Sequence, residues 1–362
     1  MKKIEFANFE LSNMDIQMTK GMAIITMLFL HLFCLPNKNI IGIPFIVLPN
    51  GVPLLYYMGW LSAICAPLFC ICNGYAHYMQ GLKGGLSTRK RLRRYLKFMI
   101  HYALAVLFVA FCGLLYGGAK IPGSLLKFVF NFLAIDYSYT GIWWYVWFYV
   151  CYVICSEIFY KIINTVSFKS LVLLIILQFF IVEATRNLIM GIMDLDSLLF
   201  KIYDHLYYLL GARMLCYFGG MLVAKHKVIS FFKYKINTIK ATKSNFLIIV
   251  LLILSSLLLC VFSKGILLVF YSFFVFLAFN CFKHCVIGIK IFKTLGKYSL
   301  YIWLLHPFIY TSAFPFVREW LLSFKYSLLI WFILFAISLG ISFFLTRLAN
   351  TLVPCVNKMI KC

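Results

Sequence analysis

Charged residues are scarce in this sequence, and acidic residues are the scarcest. Only 12% of the 362 residues are charged, and 34 lysines and arginines stand against 10 aspartates and glutamates. Because soluble domains carry about 25% charged residues, this composition excludes an ordinary soluble enzyme. Hydrophobic residues make up 64% of the chain instead. We therefore expect an all-α, polytopic membrane protein, with residues 1–362 forming a single membrane domain.

Several chemical signatures are also absent. The sequence has no Walker motif, no dinucleotide-binding glycine motif and no loop long enough to fold as a soluble domain. Most of its 13 cysteines fall inside apolar stretches, where a free cysteine behaves as a small hydrophobe, so no disulfide framework is expected. Cys281, His284 and Cys285 offer only three plausible ligands, and no metal site is predicted. Any chemistry must come from the helices and their short loops.

Long apolar runs dominate what is present. A bilayer span needs about 20 mostly apolar residues, and ten segments meet this requirement. They lie near residues 20–36, 54–79, 97–118, 141–162, 170–190, 205–224, 246–263, 265–282, 297–316 and 327–348. A further run at 124–135 is too short and carries Lys127, so we expect an interfacial or re-entrant helix there.

The basic residues indicate the orientation of these spans. Most of them fall in alternate loops, chiefly near residues 80–97, 225–245 and 283–297, as expected for the cytoplasmic side of a membrane protein. This places both termini in the cytoplasm and requires an even number of spans, which ten satisfies. Because the charge lies in short runs between apolar segments, it predicts contact with membrane lipid and no binding of nucleic acid.

The stretch "MTKGMAIITMLFLHLF" places a lysine and a histidine on the first span. Lys20 and His31 are eleven residues apart, which is three helical turns plus roughly 20°, so both side chains share one face. A rise of about 16 Å puts His31 near the middle of the membrane if Lys20 lies at its inner boundary. An ionisable residue at that depth indicates a functional site, although a neutral histidine bonded between packed helices is the alternative.

A second basic feature, "STRKRLRRYLKF", opens the third span. Arg91 and Arg94 are three residues apart and neighbours on one helical face at the cytoplasmic entrance. Arginine forks bind phosphate in bidentate geometry, so this pair is a candidate phosphate clamp. The alternative is a loop that fixes topology and contacts anionic lipid.

Three further segments contain candidate binding residues. Asn73 lies in "APLFCICNGYAHYM", where proline and glycine interrupt an apolar span and a cavity could form. His306 precedes Pro307 and is either hydrogen-bonded at a helix kink or available to a ligand. Trp143 and Trp144 begin a span at the outer interface, where tryptophan is common, but they could also stack on a sugar ring.

Together these segments resemble acyltransferase family 3, a family of integral membrane O-acyltransferases. The family opens with an aspartate, then a basic residue followed by glycine, then a histidine eleven positions after the basic residue; Asp15, Lys20, Gly21 and His31 are similar to this pattern. Lysine stands where the family commonly has arginine, and Asn73 stands where it usually has serine. Four other segments are similar to family motifs in the same order: "RLRR", "IWWYVWFYVCYVI", "LYYLLGARMLCYFGGMLVAK" and "LGKYSLYIWLLHPFIY".

The resemblance implies an O-acetyltransferase in a membrane, with the bacterial plasma membrane as the expected location. It implies that acetyl-CoA is the cytoplasmic donor and that a hydroxyl of an extracytoplasmic or lipid-linked glycan is the acceptor, with capsule or exopolysaccharide favoured. Envelope-polysaccharide assembly proteins are then expected partners.

The resemblance also implies roles for individual residues. Arg91 and Arg94 would clamp the phosphates of CoA, and Lys20 would hold another phosphate or polarise the thioester carbonyl. His31 would be the general base or would carry the acyl group. The acceptor would contact residues nearer the outer side and the interrupted span, namely His306, Trp143, Trp144 and Asn73.

Two other functions remain open on the sequence alone. A proton-coupled transporter of a glycan or small anion would use His31 to carry the proton, although no repeated halves are visible. A membrane scaffold or sensor would use the arginines only to bind anionic lipid.

Overall fold

The structure is a computed structural model that describes residues 10–116, 120–192, 198–237, 239–261 and 265–359. No β-strand forms among these residues, and two isolated bridges are the only β pairing there. The helices are α1 (Asn13–Phe33), α2 (Leu54–Leu61), α3 (Cys65–Leu82), α4 (Thr88–Leu115), α5 (Leu125–Phe132), α6 (Trp144–Thr165), α7 (Phe168–Ile192), α8 (Leu198–Leu210), α9 (Ala212–Lys225), α10 (Val228–Asn237), α11 (Ala241–Val261), α12 (Gly265–Cys281), α13 (Val286–Leu305), α14 (Pro307–Tyr310), α15 (Pro315–Leu322) and α16 (Ser327–Met359).

Eight helical segments within this described part are long and apolar enough to cross a membrane. They are Asn13–Phe33, Leu54–Leu82, Thr88–Leu115, Gly141–Thr165, Phe168–Ile192, Ile202–Lys225, Ala241–Cys260 and Ser327–Pro354. All eight coincide with spans expected from the sequence. The predicted fold class, an all-α helical membrane bundle, is therefore confirmed.

The other two expected spans, 265–282 and 297–316, are not among these eight. The first is the 17-residue helix α12, which at 1.5 Å per residue is only about 25 Å long. The second is interrupted after Leu305, where Pro307 starts the separate four-residue helix α14. The count of ten spans and the cytoplasmic termini stay predictions, since residues 1–9 and 360–362 lie outside the described ranges.

The short run at 124–135 forms a helix that cannot cross a membrane. Helix α5 has eight residues and spans about 12 Å. Ser124 caps it, because its hydroxyl accepts a hydrogen bond from the backbone N–H of Lys127 at 3.3 Å. Asn131, which is fully buried, then fixes the following turn by donating to Ser138 and accepting from the backbone N–H of Tyr139. The run is therefore a short helix, and its interfacial or re-entrant placement stays a prediction.

The chain divides into two compact units, each assembled from three separated stretches. Unit 1 takes its described residues from Met1–Ala23, Ala63–Ser87 and Cys155–Gly296. Unit 2 consists of Ile24–Ser62, Thr88–Ile154 and, as far as it is described, Lys297–Cys362. Because the chain enters each unit more than once, neither unit is a consecutive domain, and the single-domain assignment stays a prediction.

Unit 1 is built on a close approach of α3 and α9. A Cβ atom on Gly74 would lie 1.9 Å from the carbonyl oxygen of Tyr217, and one on Gly220 would lie 2.3 Å from that of Ile71. Glycines at these positions let the two backbones touch, which is the common way for helices to pack in lipid. The contact also brings His77 Nδ1 within 2.8 Å of the Tyr217 hydroxyl.

Unit 2 has an aromatic core that surrounds the end of α13. Tyr102, Trp143, Tyr301 and Phe308 are all less than 5% exposed and belong to one cluster of buried residues. The rings of Tyr102 and Phe308 pack against Trp143, with centroids 5.2 and 5.6 Å away. This packing fixes the segment in which α13 ends and α14 begins.

We expect Gly74→Ala to destabilise the protein by about 1–3 kcal/mol, because the added methyl would overpack the contact between α3 and α9. Gly340→Ala is the matched control: Gly340 lies in α16 with no atom within 4 Å of its Cβ position, so alanine there should be neutral or stabilising. Thermal unfolding of both variants in detergent measures the difference. Equal midpoints for the two variants would contradict the assigned packing.

Candidate functional site

Helix α1 begins with a capping box that uses the aspartate of the opening motif. The Ser12 hydroxyl accepts a hydrogen bond from the Asp15 backbone N–H at 3.2 Å, and the Asp15 carboxylate accepts one from the Ser12 backbone N–H at 2.9 Å. The same carboxylate lies 3.8 Å from the ammonium group of Lys233. Asp15 therefore caps α1 and pairs with Lys233.

Lys20 lies in the part of α1 that belongs to unit 1, where its side chain is half-buried. It is within electrostatic range of the buried Cys72 thiol, and no carboxylate in the described part of the chain pairs with it. The neighbouring Gly21 explains its position, because a Cβ there would lie 2.1 Å from the carbonyl oxygen of Phe292. Gly21 thus lets α1 approach α13 closely beside Lys20.

His31 lies in unit 2 and contacts a second histidine. Its Nδ1 atom is 2.8 Å from Nε2 of His306, which is hydrogen-bond distance, and the two rings are nearly parallel, with an interplanar angle of 17°. His306 is fully buried at 0% exposure, whereas His31 is only half-buried. One member of the pair is therefore enclosed by protein, and the other is partly exposed.

His306 is also bonded to the backbone of its own helix. Its Nδ1 atom lies 2.9 Å from the carbonyl oxygen of Ile302 and 3.0 Å from that of Trp303. Pro307 follows it and lacks the N–H that a regular helix would direct at Trp303. The structure thus places His306 at a helix kink, with one edge on the backbone and the other on His31.

The two tryptophans of the outer segment have different surroundings. Trp143 is 1% exposed and donates its indole N–H to the carbonyl oxygen of Leu304 at 3.1 Å, so it supports the end of α13. Trp144 is half-buried and meets Tyr145 edge to face, with ring centroids 5.5 Å apart. Contact with a sugar stays a prediction for both, and Trp144 is the more accessible of the two.

Arg91 and Arg94 both turn toward α6 within unit 2. Arg91 donates to the carbonyl oxygen of Ile154 and to the Thr88 hydroxyl, the latter at 3.1 Å. Arg94 lies within electrostatic range of Tyr149 on α6. Both arginines are half-buried, whereas Arg93 between them is exposed. The predicted shared face is therefore present, and it lies against protein.

The predicted site residues are divided between the two units. Asn73 is 7% exposed on α3 in unit 1, next to the glycine that packs against α9. Lys20 is also in unit 1, whereas His31, His306, the arginine pair and both tryptophans are in unit 2. Within the described ranges, no three His, Cys, Asp or Glu side chains come together as a metal site would require.

Sequence reasoning missed two aromatic partners in unit 2. The hydroxyl of Tyr301 lies 3.1 Å from Nδ1 of His101, a histidine that the sequence gives no reason to pair with α13. Tyr310 stacks on His306, with centroids 6.0 Å apart. The second contact had a sequence signal, because Tyr310 lies four residues after His306, which is one helical turn.

The sequence matches the model of a known protein family. Residues 14–347, nearly the whole chain, match the model of acyltransferase family 3, which is described as an acyltransferase domain. No curated protein and no solved structure matches the chain.

Proposed function

Because the chain belongs to acyltransferase family 3 and is a multi-pass membrane acyltransferase, we propose that it is an O-acetyltransferase. It transfers an acetyl group from cytoplasmic acetyl-CoA to a hydroxyl of an extracytoplasmic or lipid-linked glycan, with a capsule or exopolysaccharide unit of the bacterial envelope as the favoured acceptor. The observation that carries this proposal is the hydrogen bond between His31 and His306.

His31 is the general base of the proposed reaction. It takes the proton of the acceptor hydroxyl while that oxygen attacks the thioester carbon. The carbon–sulfur bond then breaks, and the CoA thiolate leaves and recovers the proton from His31. The half-buried ring suits this role, because it contacts protein on one edge and is reachable on another. In a variant of the same chemistry, Nε2 of His31 attacks the thioester carbon first, and the carbon–sulfur bond breaks to release the CoA thiolate. The glycan hydroxyl then attacks the acetyl-histidine and takes the acetyl group, and its proton passes to the freed Nε2 and from there to the thiolate.

The basic residues serve the donor. Arginine and lysine bind phosphate, and the phosphates of CoA supply several negative charges. Arg91 and Arg94 share one face of α4, and a phosphate oxygen would replace the carbonyl of Ile154 as a partner of Arg91. Lys20 holds a further phosphate or polarises the thioester carbonyl. Trp144 is the candidate in unit 2 for stacking on a sugar of the acceptor, and Asn73 is the candidate in unit 1 for contact with the acceptor.

Replacing His31 by alanine should lower acetyl transfer by at least 10²-fold, since a positioned base contributes about 10²–10⁴-fold. The assay uses purified protein in liposomes with radiolabelled acetyl-CoA and the glycan of the source strain. The matched control is His226→Ala, because His226 is exposed and lies elsewhere in the chain.

Full activity of the His31→Ala protein would remove this residue from the mechanism. Glycan movement across the liposome membrane without acetyl-CoA would instead favour a transporter. The acceptor itself is identified by comparing the O-acetyl signals of envelope glycans, by NMR, in strains with and without the gene.

Lysine in place of Arg91 and Arg94 tests the phosphate clamp while keeping the charge. We expect the double variant Arg91→Lys/Arg94→Lys to raise the KM for acetyl-CoA about tenfold, since loss of bidentate bonds costs about 1.4 kcal/mol or more, and to change kcat less. Arg93→Lys, at the exposed position between them, is the control. An unchanged KM would mean that this cluster serves only topology or lipid contact.

A further inference from the structure

We propose that His306 is a positioning residue that fixes the tautomer of His31, so that Nε2 of His31 is the atom that accepts the proton. This inference rests on the proposed function, because it assigns His306 a role through His31.

Pro307 leaves one carbonyl oxygen of the helix without its regular hydrogen-bond donor. In a regular helix the N–H of residue 307 would bond the carbonyl oxygen of Trp303, but proline has no N–H. A carbonyl left without a donor is costly inside protein or lipid. The ring of the residue just before the proline supplies a donor, since Nδ1 of His306 lies 3.0 Å from this oxygen and 2.9 Å from that of Ile302.

The two carbonyl contacts determine which nitrogen of His306 carries the hydrogen. Carbonyl oxygens only accept hydrogen bonds, so the nitrogen that faces two of them must carry a hydrogen. In a neutral imidazole the other nitrogen then has a lone pair and accepts. Nε2 of His306 is therefore an acceptor, and its partner at 2.8 Å is Nδ1 of His31.

The tautomer of His306 in turn determines which nitrogen of His31 carries the hydrogen. Since Nε2 of His306 accepts, Nδ1 of His31 must donate and carries the hydrogen. Nε2 of His31 is then left with the lone pair, and it has no hydrogen-bond partner in the part of the chain that the structure describes. A basic nitrogen without a protein partner, on a half-buried ring, is what a general base requires.

The arrangement also explains why His306 is held rigidly. Tyr310 stacks on its ring, and Trp143 bonds the adjacent carbonyl of Leu304. His306 is 0% exposed, so water does not compete for its hydrogen bonds. When His31 becomes an imidazolium during transfer, its Nδ1–H bond to His306 becomes charge-assisted and stronger. The bond to His306 thus stabilises the protonated state of His31 that forms during transfer.

Two amide replacements of His306 separate positioning from simple packing. Glutamine places its amide near the position of Nε2 and can present an oxygen to His31, whereas asparagine places its amide near Nδ1 and reaches only the backbone. We expect His306→Gln to keep kcat within about threefold and His306→Asn to lower kcat roughly 10- to 100-fold, with little change in the KM for acetyl-CoA in either. If both variants lost activity equally, or both kept it, His306 would not act through His31.

The tautomer itself is measured without activity. In protein labelled with ¹⁵N-histidine, NMR distinguishes protonated from unprotonated ring nitrogens, and the spectrum of His31→Ala identifies the signals of His31. We expect a protonated Nδ1 and an unprotonated Nε2 on His31 in the unaltered protein and in His306→Gln, and a changed pattern in His306→Asn. A proton on Nε2 of His31 in the unaltered neutral protein would overturn the proposal.

The two proposals fail in different ways. If His31→Ala stays active, His31 is not the base and the proposed mechanism fails, whatever the NMR spectrum shows. If His31→Ala is inactive while His306→Asn has the rate and the tautomer of the unaltered protein, only the role of His306 fails.

Discussion

A helix in lipid must supply a hydrogen-bond donor for each of its carbonyl groups, and Pro307 removes one such donor from the helix that reaches the histidine pair. The oxygens of Trp303 and Leu304, which come just before the kink, are both met by side chains, namely His306 and Trp143. Each of these side chains is less than 2% exposed, so both are buried in unit 2 beside the kink. His306 is oriented by its hydrogen bond to the carbonyl oxygen that Pro307 leaves without a donor, and His31 is oriented by its hydrogen bond to His306.

The fold class could be predicted because hydropathy acts locally along the chain. Eight expected spans appear as helices of sufficient length, and the short run at 124–135 appears as the eight-residue helix α5. Hydropathy does not predict the extent of a span where a long apolar run is not one continuous helix. The segment 297–316 was expected to be one span, yet the backbone at His306 and Pro307 interrupts it, which average composition does not register.

The contacts within the candidate site could be predicted only between residues that are close in sequence. The placement of Arg91 and Arg94 on one helical face follows from a spacing of three, and both do turn toward α6. The partner of His31 lies 275 positions away, and no local pattern connects the two. The capping box of Asp15 with Ser12, three residues before it, is likewise a contact between close neighbours in sequence. Trp143 looked like an interfacial ring, but its burial gives it a supporting role.

The choice of a histidine behind the proposed base agrees with the scarcity of acidic residues. In many enzymes an aspartate orients the catalytic histidine and stabilises its protonated form. A buried carboxylate within a membrane helix would need a positively charged partner even when no substrate is bound, and burying its charge costs much free energy. A neutral histidine gives the same directional acceptor without a permanent charge. It cannot neutralise the proton that His31 takes, however. On the proposed mechanism the negative charge that develops on the thioester oxygen balances this positive charge, so proton transfer to His31 is favoured as the acceptor hydroxyl attacks the thioester carbon.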